Sequence, residues 1–216
     1  VELFQWFNYY LKDIGDEPEP MVQIQTNDGR WHVEDTWPPE DMTWNLADIG
    51  TDWMVTGDTV NGQGASVTLV SGELTELTHI SGLPTLHLEV TTQACQGGQI
   101  FATLYDNEDN LRLGHATMDV RYRDGGYDAK ATSPFSSYTM LMEFNPLDVV
   151  VPAGHTLRIE LTENGEDYLP SPCASNPLGG LTVDGGVVGL PIIDRPKSHD
   201  SWFLAPPWWE QQPIPE

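Results

Sequence analysis

Basic residues are scarce in this sequence. Nine lysine and arginine residues oppose 33 aspartate and glutamate residues, so the formal net charge is −24. Proteins that bind nucleic acid need a cationic surface to neutralise phosphates. An anionic membrane surface would repel a chain of this charge. The composition therefore argues against nucleic acid and anionic membrane surfaces as partners.

The acidic residues are spread from Glu2 to Glu216, and no block of like charge indicates a disordered tail. A dispersed acidic surface with only three lysines is typical of proteins in concentrated salt, where screening weakens self-repulsion. An acidic secreted protein explains the same composition, and both interpretations stay open. We expect an extracellular protein, with the cytoplasm of a salt-adapted organism as the alternative.

Long apolar runs are also missing. No segment approaches the length of a membrane span, and Val1 opens no positively charged signal region. We therefore expect a soluble chain without a membrane span, whose first residue marks a processing boundary.

Cysteine is rare, with only Cys95 and Cys173. Two cysteines are too few for a disulfide framework, and they lack the CxxC spacing of zinc or redox sites. The sequence leaves open whether the two cysteines form one disulfide bridge or remain two buried thiols. We predict a bridge if the protein is secreted, because each cysteine follows a strand pattern, Leu86–Thr91 or Thr156–Leu161, that could end at the same edge of a sandwich.

The chain divides into four parts. Residues 1–15 place apolar side chains at helical spacing, and Gly15 stands where a helix cap belongs. This wide stripe predicts an interface, and its residues are Leu3, Phe4, Phe7, Tyr10, Leu11 and Ile14. Residues 16–20 read as a short stiff linker that contains two prolines. Residues 21–197 form the main domain, and residues 198–216 form an arm rich in tryptophan and proline.

The main domain repeats short segments in which apolar and polar residues alternate. These segments are Met21 to Gln25, Trp31 to Val33, Thr43 to Ala47, Ser66 to Val70, Thr85 to Thr91, Gln99 to Tyr105, Thr117 to Tyr122, Tyr138 to Phe144 and Thr156 to Leu161. Short strands at this density indicate an all-β antiparallel sandwich or barrel.

The sequence lacks the G-x-S-x-G turn on which a hydrolase presents its serine nucleophile. The nearest serine, Ser66, lies in Gly64-Ala65-Ser66-Val67-Thr68, which reads as the start of a strand. No histidine stands in an H-E-x-x-H pair. His155, after Pro152-Ala153-Gly154, is typical of a histidine that fixes a turn by hydrogen bonding. We therefore predict no catalytic residue on this chain.

Two further features leave alternatives open. Asp106, Glu108 and Asn110 offer oxygens that calcium prefers, but a polar hairpin turn between Phe101–Tyr105 and Leu111–Leu113 explains the segment more simply. No cofactor is expected, with calcium as the alternative. Eight tryptophans could include an exposed platform for sugar rings, although burial is their commoner fate.

Several segments resemble a known family. The first group consists of Trp6-Phe7-Asn8-Tyr9-Tyr10-Leu11-Lys12, Pro20-Met21-Val22-Gln23-Ile24-Gln25, Gly29-Arg30-Trp31 and Trp37-Pro38-Pro39. In order and spacing these segments are similar to the passage that joins the hydrolase core to the C-terminal domain in the X-prolyl dipeptidyl peptidase and cocaine esterase (CocE/NonD) family. The segments Ile80 to Val90, Ala102 to Asp106 and Val151 to Ile159 resemble successive strands of that family's jelly roll.

The resemblance implies a jelly-roll sandwich of the galactose-binding-domain-like type with one N-terminal helix, and it implies that residues 1–15 are the terminal helix left over from an upstream hydrolase domain. It implies an upstream α/β-hydrolase domain that holds the whole serine, aspartate and histidine triad, so no triad residue falls here. The expected role is to dock on that domain, wall its cleft or contribute to contacts between copies of the chain. A carbohydrate-binding module and a structural subunit of an assembly are the alternatives.

Overall fold

The structure is a computed structural model that describes residues 2–17, 22–29, 31–95, 97–165, 169 and 173–194. The predicted arm at 198–216 and part of the predicted linker lie outside these residues. The elements, in chain order, are α1 (Glu2–Lys12), β1 (Val22–Gln25), β2 (Trp31–Glu34), β3 (Thr43–Asp48), β4 (Trp53–Thr56), β5 (Thr59–Val60), β6 (Val67–Ser71), β7 (Thr78–Gly82), β8 (Thr85–Thr92), β9 (Gln99–Asp106), β10 (Leu111–Asp119), a short 3-10 helix (Val120–Tyr122), β11 (Ser137–Glu143), β12 (Leu147–Val151), β13 (Leu157–Thr162) and β14 (Leu181–Ile193).

Two antiparallel sheets form the body of the molecule. The five-stranded sheet has the order β10-β9-β13-β6-β4, and the seven-stranded sheet has the order β11-β8-β14-β7-β12, with β3 and β5 paired to β14. Strands β1 and β2 form a separate two-stranded sheet. The prediction of an all-β antiparallel sandwich with one N-terminal helix is confirmed.

Alternation along the strands builds the core between the two sheets. In β8 the side chains of Leu86, Leu88 and Val90 are fully buried, whereas His87 and Glu89 between them are exposed. The inner face of β9 contributes Ile100, Ala102 and Leu104 to the same core. Because successive side chains of a strand point to opposite faces, each sheet has one apolar inner face and one outer face.

The helix is shorter than predicted. It ends at Lys12 instead of residue 15, and Asp13 adopts the left-handed conformation with φ of 57°. Asp13 thus takes the position after the helix that was predicted for Gly15, because aspartate is among the few residues that tolerate this conformation. No helix among the described residues has the length and apolar character needed to cross a membrane.

One predicted strand ends early. The pattern from Thr117 to Tyr122 predicted a strand, but β10 ends at Asp119. The carboxylate of Asp119 accepts a hydrogen bond from the backbone N–H of Arg121 at 2.8 Å and thereby begins the 3-10 helix. This local side-chain contact competes with strand pairing and stops it.

Strand β14 was not predicted, although it pairs with more strands than any other element of the seven-stranded sheet. Its register shifts between Val183 and Gly185, and Gly186 has φ of 150°. A side chain at Gly186 would collide with the backbone carbonyl of His87 on β8. Glycine is therefore required where the two strands approach each other.

Candidate docking surfaces and polar clusters

The apolar stripe of α1, together with Ile14 just beyond the helix, is exposed. The exposed fractions are 74% for Phe4, 40% for Phe7, 50% for Tyr10, 69% for Leu11 and 59% for Ile14. The side chain of Leu3 lies outside the described residues. The sandwich therefore does not cover the stripe, although burying one such side chain stabilises by roughly 1.5 to 3 kcal/mol.

A charged cluster joins the β9–β10 turn to the segment before β13. His155 Nδ1 donates to both carboxylate oxygens of Asp106, at 2.8 and 3.0 Å. The Asp106 side chain is only 2% exposed. The hydrogen bond to Asp106 raises the pKa of His155, and the charges of Asp106, Asp109 and Glu108 act in the same direction against the opposing effect of burial. His155 thus fixes a turn, as its position predicted.

The three predicted calcium ligands each have another partner. Asp106 holds His155, Glu108 accepts from the backbone N–H and the hydroxyl of Thr156 at 2.6 and 3.0 Å, and Asn110 accepts from Arg158 at 2.6 Å. The segment is a polar hairpin turn between β9 and β10. The bonds from Thr156 lower the pKa of Glu108.

Asp106, Asp109 and His155 bring one potential ligand atom each to within 4.8 Å of one another. His155 Nδ1 donates to Asp106, and a ring nitrogen that donates a hydrogen bond has no free lone pair to bind a metal ion. Calcium stays a prediction.

Serine, histidine and aspartate side chains meet at one buried place, between β7 and β12. Ser81 Oγ donates to Asp148 at 2.7 Å, and His79 Nε2 lies 2.9 Å from the other oxygen of the same carboxylate. In a catalytic triad the histidine stands between serine and aspartate and takes the serine proton. Here the aspartate stands between the other two, so this cluster cannot activate Ser81 and instead satisfies buried polar groups.

The structure joins Cys95 and Cys173 by a disulfide, with Cα atoms 5.9 Å apart. The reason for the pairing differs from the predicted one. Strands β8 and β13 belong to different sheets, whereas β8 pairs with β14, with Thr92 opposite Leu181. The bridge therefore links the segment after β8 to the segment before β14, just beyond the end of this ladder.

A sugar platform would need several exposed tryptophans on one sheet face. Among strand tryptophans whose side chains the structure describes, Trp44 on β3 is 47% exposed and Trp53 on β4 is 2% exposed. Trp37 is half-buried outside the strands, and Trp6 lies on α1. The described residues thus present one exposed sheet tryptophan instead of a line.

Three solved structures share the fold of this chain. An aminopeptidase from a Thaumarchaeota archaeon matches with a TM-score of 0.66 and 15% identity, over 89% of this chain and 44% of that one. A CocE/NonD family hydrolase from Staphylococcus aureus matches with a TM-score of 0.63 and 14% identity, over 89% and 45%. An α-amino acid ester hydrolase matches with a TM-score of 0.57 and 16% identity, over 88% and 44%. At these identities the likeness shows the fold alone.

A sequence search among curated proteins gives no match. The fold is a β-sandwich of two antiparallel sheets, and in the buried Ser-His-Asp cluster the aspartate lies between the serine and the histidine. Residues 43–178, more than half of the chain, match the family model of the X-Pro dipeptidyl-peptidase C-terminal non-catalytic domain. The chain belongs to this family, and the predictions of family and of a non-catalytic chain are confirmed. It spans less than half the length of each of these three structures.

Proposed function

We propose that this sandwich docks on the catalytic domain of a serine hydrolase and helps to wall its substrate cleft. Membership of a non-catalytic domain family supports an accessory role. The observation that carries the docking is the exposed stripe of α1, where Phe4 and Leu11 are 74% and 69% exposed. A stripe this apolar is costly to leave in water, and a partner domain that covers it removes the cost.

Unfolding of the full hydrolase polypeptide that contains this chain tests the docking. Replacing Phe7 and Leu11 by aspartate should split one cooperative transition in calorimetry into two, because the two domains then unfold independently. Lys12→Asp is the matched control, since it adds acidity to the same helix outside the stripe. Equal curves for the stripe variant and the unaltered polypeptide would refute the docking.

We infer that the protein works in an oxidising compartment and tolerates salt. The disulfide between Cys95 and Cys173 supports an extracellular location, since cytosolic thiols of most organisms stay reduced. The charge of −24 supports salt adaptation. The melting temperature should rise between about 0.01 M and 1 M salt, as the Debye length falls from about 30 Å to about 3 Å. A melting temperature that stays flat over this range would contradict salt adaptation.

A further inference from the structure

Strand β3 lies at an edge of the seven-stranded sheet. Among the described residues it pairs with no strand other than β14. Its first four side chains, from Thr43 to Leu46, are all exposed. An edge strand presents unpaired backbone N–H and C=O groups, to which another strand can add. The sheet can therefore be extended at β3.

The pairing with β14 shows which backbone groups of β3 face the open edge. The N–H of Ile49 donates to the carbonyl of Gly186 on β14 at 2.9 Å. Because a strand directs alternate residues to its two sides, the odd-numbered residues of β3 bond to β14. The N–H and C=O groups of the even-numbered residues, Trp44, Leu46 and Asp48, face away from β14.

Both ends of this open edge are closed. The N–H of Asp48 donates to the carboxylate of Asp52 at 2.8 Å, and the carbonyl of Asp48 accepts from the N–H of Asp52 at 2.9 Å. At the other end the N–H of Met42 donates to a carbonyl three residues earlier, at 3.3 Å. Within β3, the outward groups of Trp44 and Leu46 have no partner among the described residues.

The side chains of these two residues are apolar and lie side by side on the outer face of the sheet. Trp44 is 47% exposed and Leu46 is 67% exposed. Both lie over Gly189 of β14, where an added Cβ would be 3.4 Å from Trp44 Cζ3 and 3.3 Å from Leu46 Cδ2. Edge strands that must stay unpaired commonly carry lysine, proline or an inward charge. Neither residue provides such a block.

We propose that β3 pairs antiparallel with β3 of a second copy of this chain, about a two-fold axis at Asn45. In this register Trp44 of each copy lies opposite Leu46 of the other. Four backbone hydrogen bonds then satisfy the outward groups of both residues, and two tryptophan–leucine pairs form across the strands. A two-fold contact must be self-complementary, and β3 has this property because its two free residues flank Asn45 symmetrically.

The charges of the chain are compatible with this register and give it a salt dependence. Asp48 of one copy falls opposite Met42 of the other, so the acidic residue of β3 does not face another acid. Two chains of charge −24 nevertheless repel each other as they approach. This repulsion weakens as the Debye length falls from about 30 Å at 0.01 M salt to about 3 Å at 1 M. The dimer should therefore strengthen as salt is added. This contact goes beyond the proposed function and does not involve α1.

A cysteine at the two-fold axis tests the register in the full polypeptide that contains this chain. Residue 45 lies opposite its own copy in a non-hydrogen-bonded pair, which is close enough for a disulfide. Asn45→Cys should form a linked dimer in about 1 M salt about tenfold faster than Thr43→Cys. Thr43 is the matched control, because it is exposed on the same strand but falls opposite Ala47 of the other copy.

A mixture of Thr43→Cys and Ala47→Cys chains should restore rapid linkage, although each variant alone should link slowly. Equal rates for Asn45→Cys and Thr43→Cys would show random collisions and would overturn the proposal.

A proline at position 46 blocks the open edge without touching the pairing with β14. The N–H of Leu46 faces away from β14, so Leu46→Pro removes a donor only from the proposed contact. This variant should be a monomer in light scattering at about 1 M salt. Leu46→Val is the control, since it keeps the N–H and an apolar side chain, and it should remain a dimer. If Leu46→Pro does not fold, the cysteine linkage decides alone.

Two results would identify another arrangement. A dimer that persists in folded Leu46→Pro would place the contact elsewhere and overturn the proposal. Hydrogen exchange at the N–H of Leu46 should become faster on dilution, because the dimer dissociates. Protection that does not depend on protein concentration would show that another part of the same polypeptide covers this edge, and this too would overturn the proposal.

Discussion

Asn27 and Val150 are joined by two hydrogen bonds. The backbone N–H of Val150 donates to Asn27 Oδ1 at 2.8 Å, and Asn27 Nδ2 donates to the carbonyl of Val150 at 3.0 Å. Asn27 lies in the turn between β1 and β2, and Val150 lies on β12, at one end of the seven-stranded sheet. The side-chain amide thus pairs with this strand as a neighbouring strand would, and it fastens the β1–β2 sheet to the sandwich.

Replacing Asn27 by alanine should speed amide hydrogen exchange at Val150, because its N–H loses the acceptor. The expected loss of stability is about 1 to 3 kcal/mol, at roughly 0.5 to 1.5 kcal/mol for each of the two hydrogen bonds. Asn27→Asp is the control: its carboxylate still accepts from Val150, so protection of this amide should largely return. Unchanged exchange in the alanine variant would show that the side chain does not hold this edge.

Replacing Asp148 by alanine should destabilise the sandwich strongly. Its carboxylate is buried and binds both His79 and Ser81, which would each lose an acceptor in the core. Because these buried groups lose this partner, the free energy of unfolding should fall by about 2 to 4 kcal/mol. Urea denaturation measures this change. Asp184→Ala, at an exposed acidic residue of β14, should stay within about 0.5 kcal/mol. Equal effects of the two variants would contradict the role given to the buried cluster.

Replacing His155 by glutamine should destabilise the protein more at low pH than at high pH. The pKa of His155 is raised in the folded state, chiefly by its hydrogen bond to Asp106. A raised pKa gives a stabilisation that is complete below the unfolded value of about 6.5 and is lost as the pH rises through the folded value. The difference in melting temperature between the two proteins should therefore be larger at pH 5.5 than at pH 9.

His87→Gln is the control for this pH series. His87 is exposed on the outer face of β8, and its replacement leaves the contact between His155 and Asp106 in place. A difference for His155→Gln that is constant with pH would show that the ion pair with Asp106 contributes nothing to folding.

Replacing Cys95 and Cys173 by serine should lower the melting temperature. The bridge closes a loop with a sequence separation of 78, and the chain-entropy model gives a stabilisation of about 4 to 5 kcal/mol for this length. A chain of this size should lose roughly 10 °C. Treatment of the unaltered protein with a reductant should reproduce the shift, and no further shift should occur in the serine variant. A reductant effect that persists in the serine variant would have another cause.

Individual strands could be predicted from the sequence where apolar and polar residues alternate over a few consecutive positions. The segment 85–91 shows apolar residues at every second position, and β8 occupies Thr85–Thr92. Strand β14 was not predicted, because its register shift and its paired glycines interrupt alternation in the middle. The predicted reason for the disulfide, that Cys173 follows a strand beside β8, was wrong because β14 was not predicted. The strand that brings Cys173 to Cys95 is β14.

The sequence by itself determined the class of fold, the absence of a nucleophile motif and the apolar stripe of α1, because each depends on residues close together along the chain. Only the tertiary structure decided which polar groups meet. Asp106 faces His155, and Asp148 gathers His79 and Ser81, through strand pairings between distant segments. The five-stranded sheet likewise depends on pairings between distant segments, and no local pattern specifies how β4, β6, β13, β9 and β10 align.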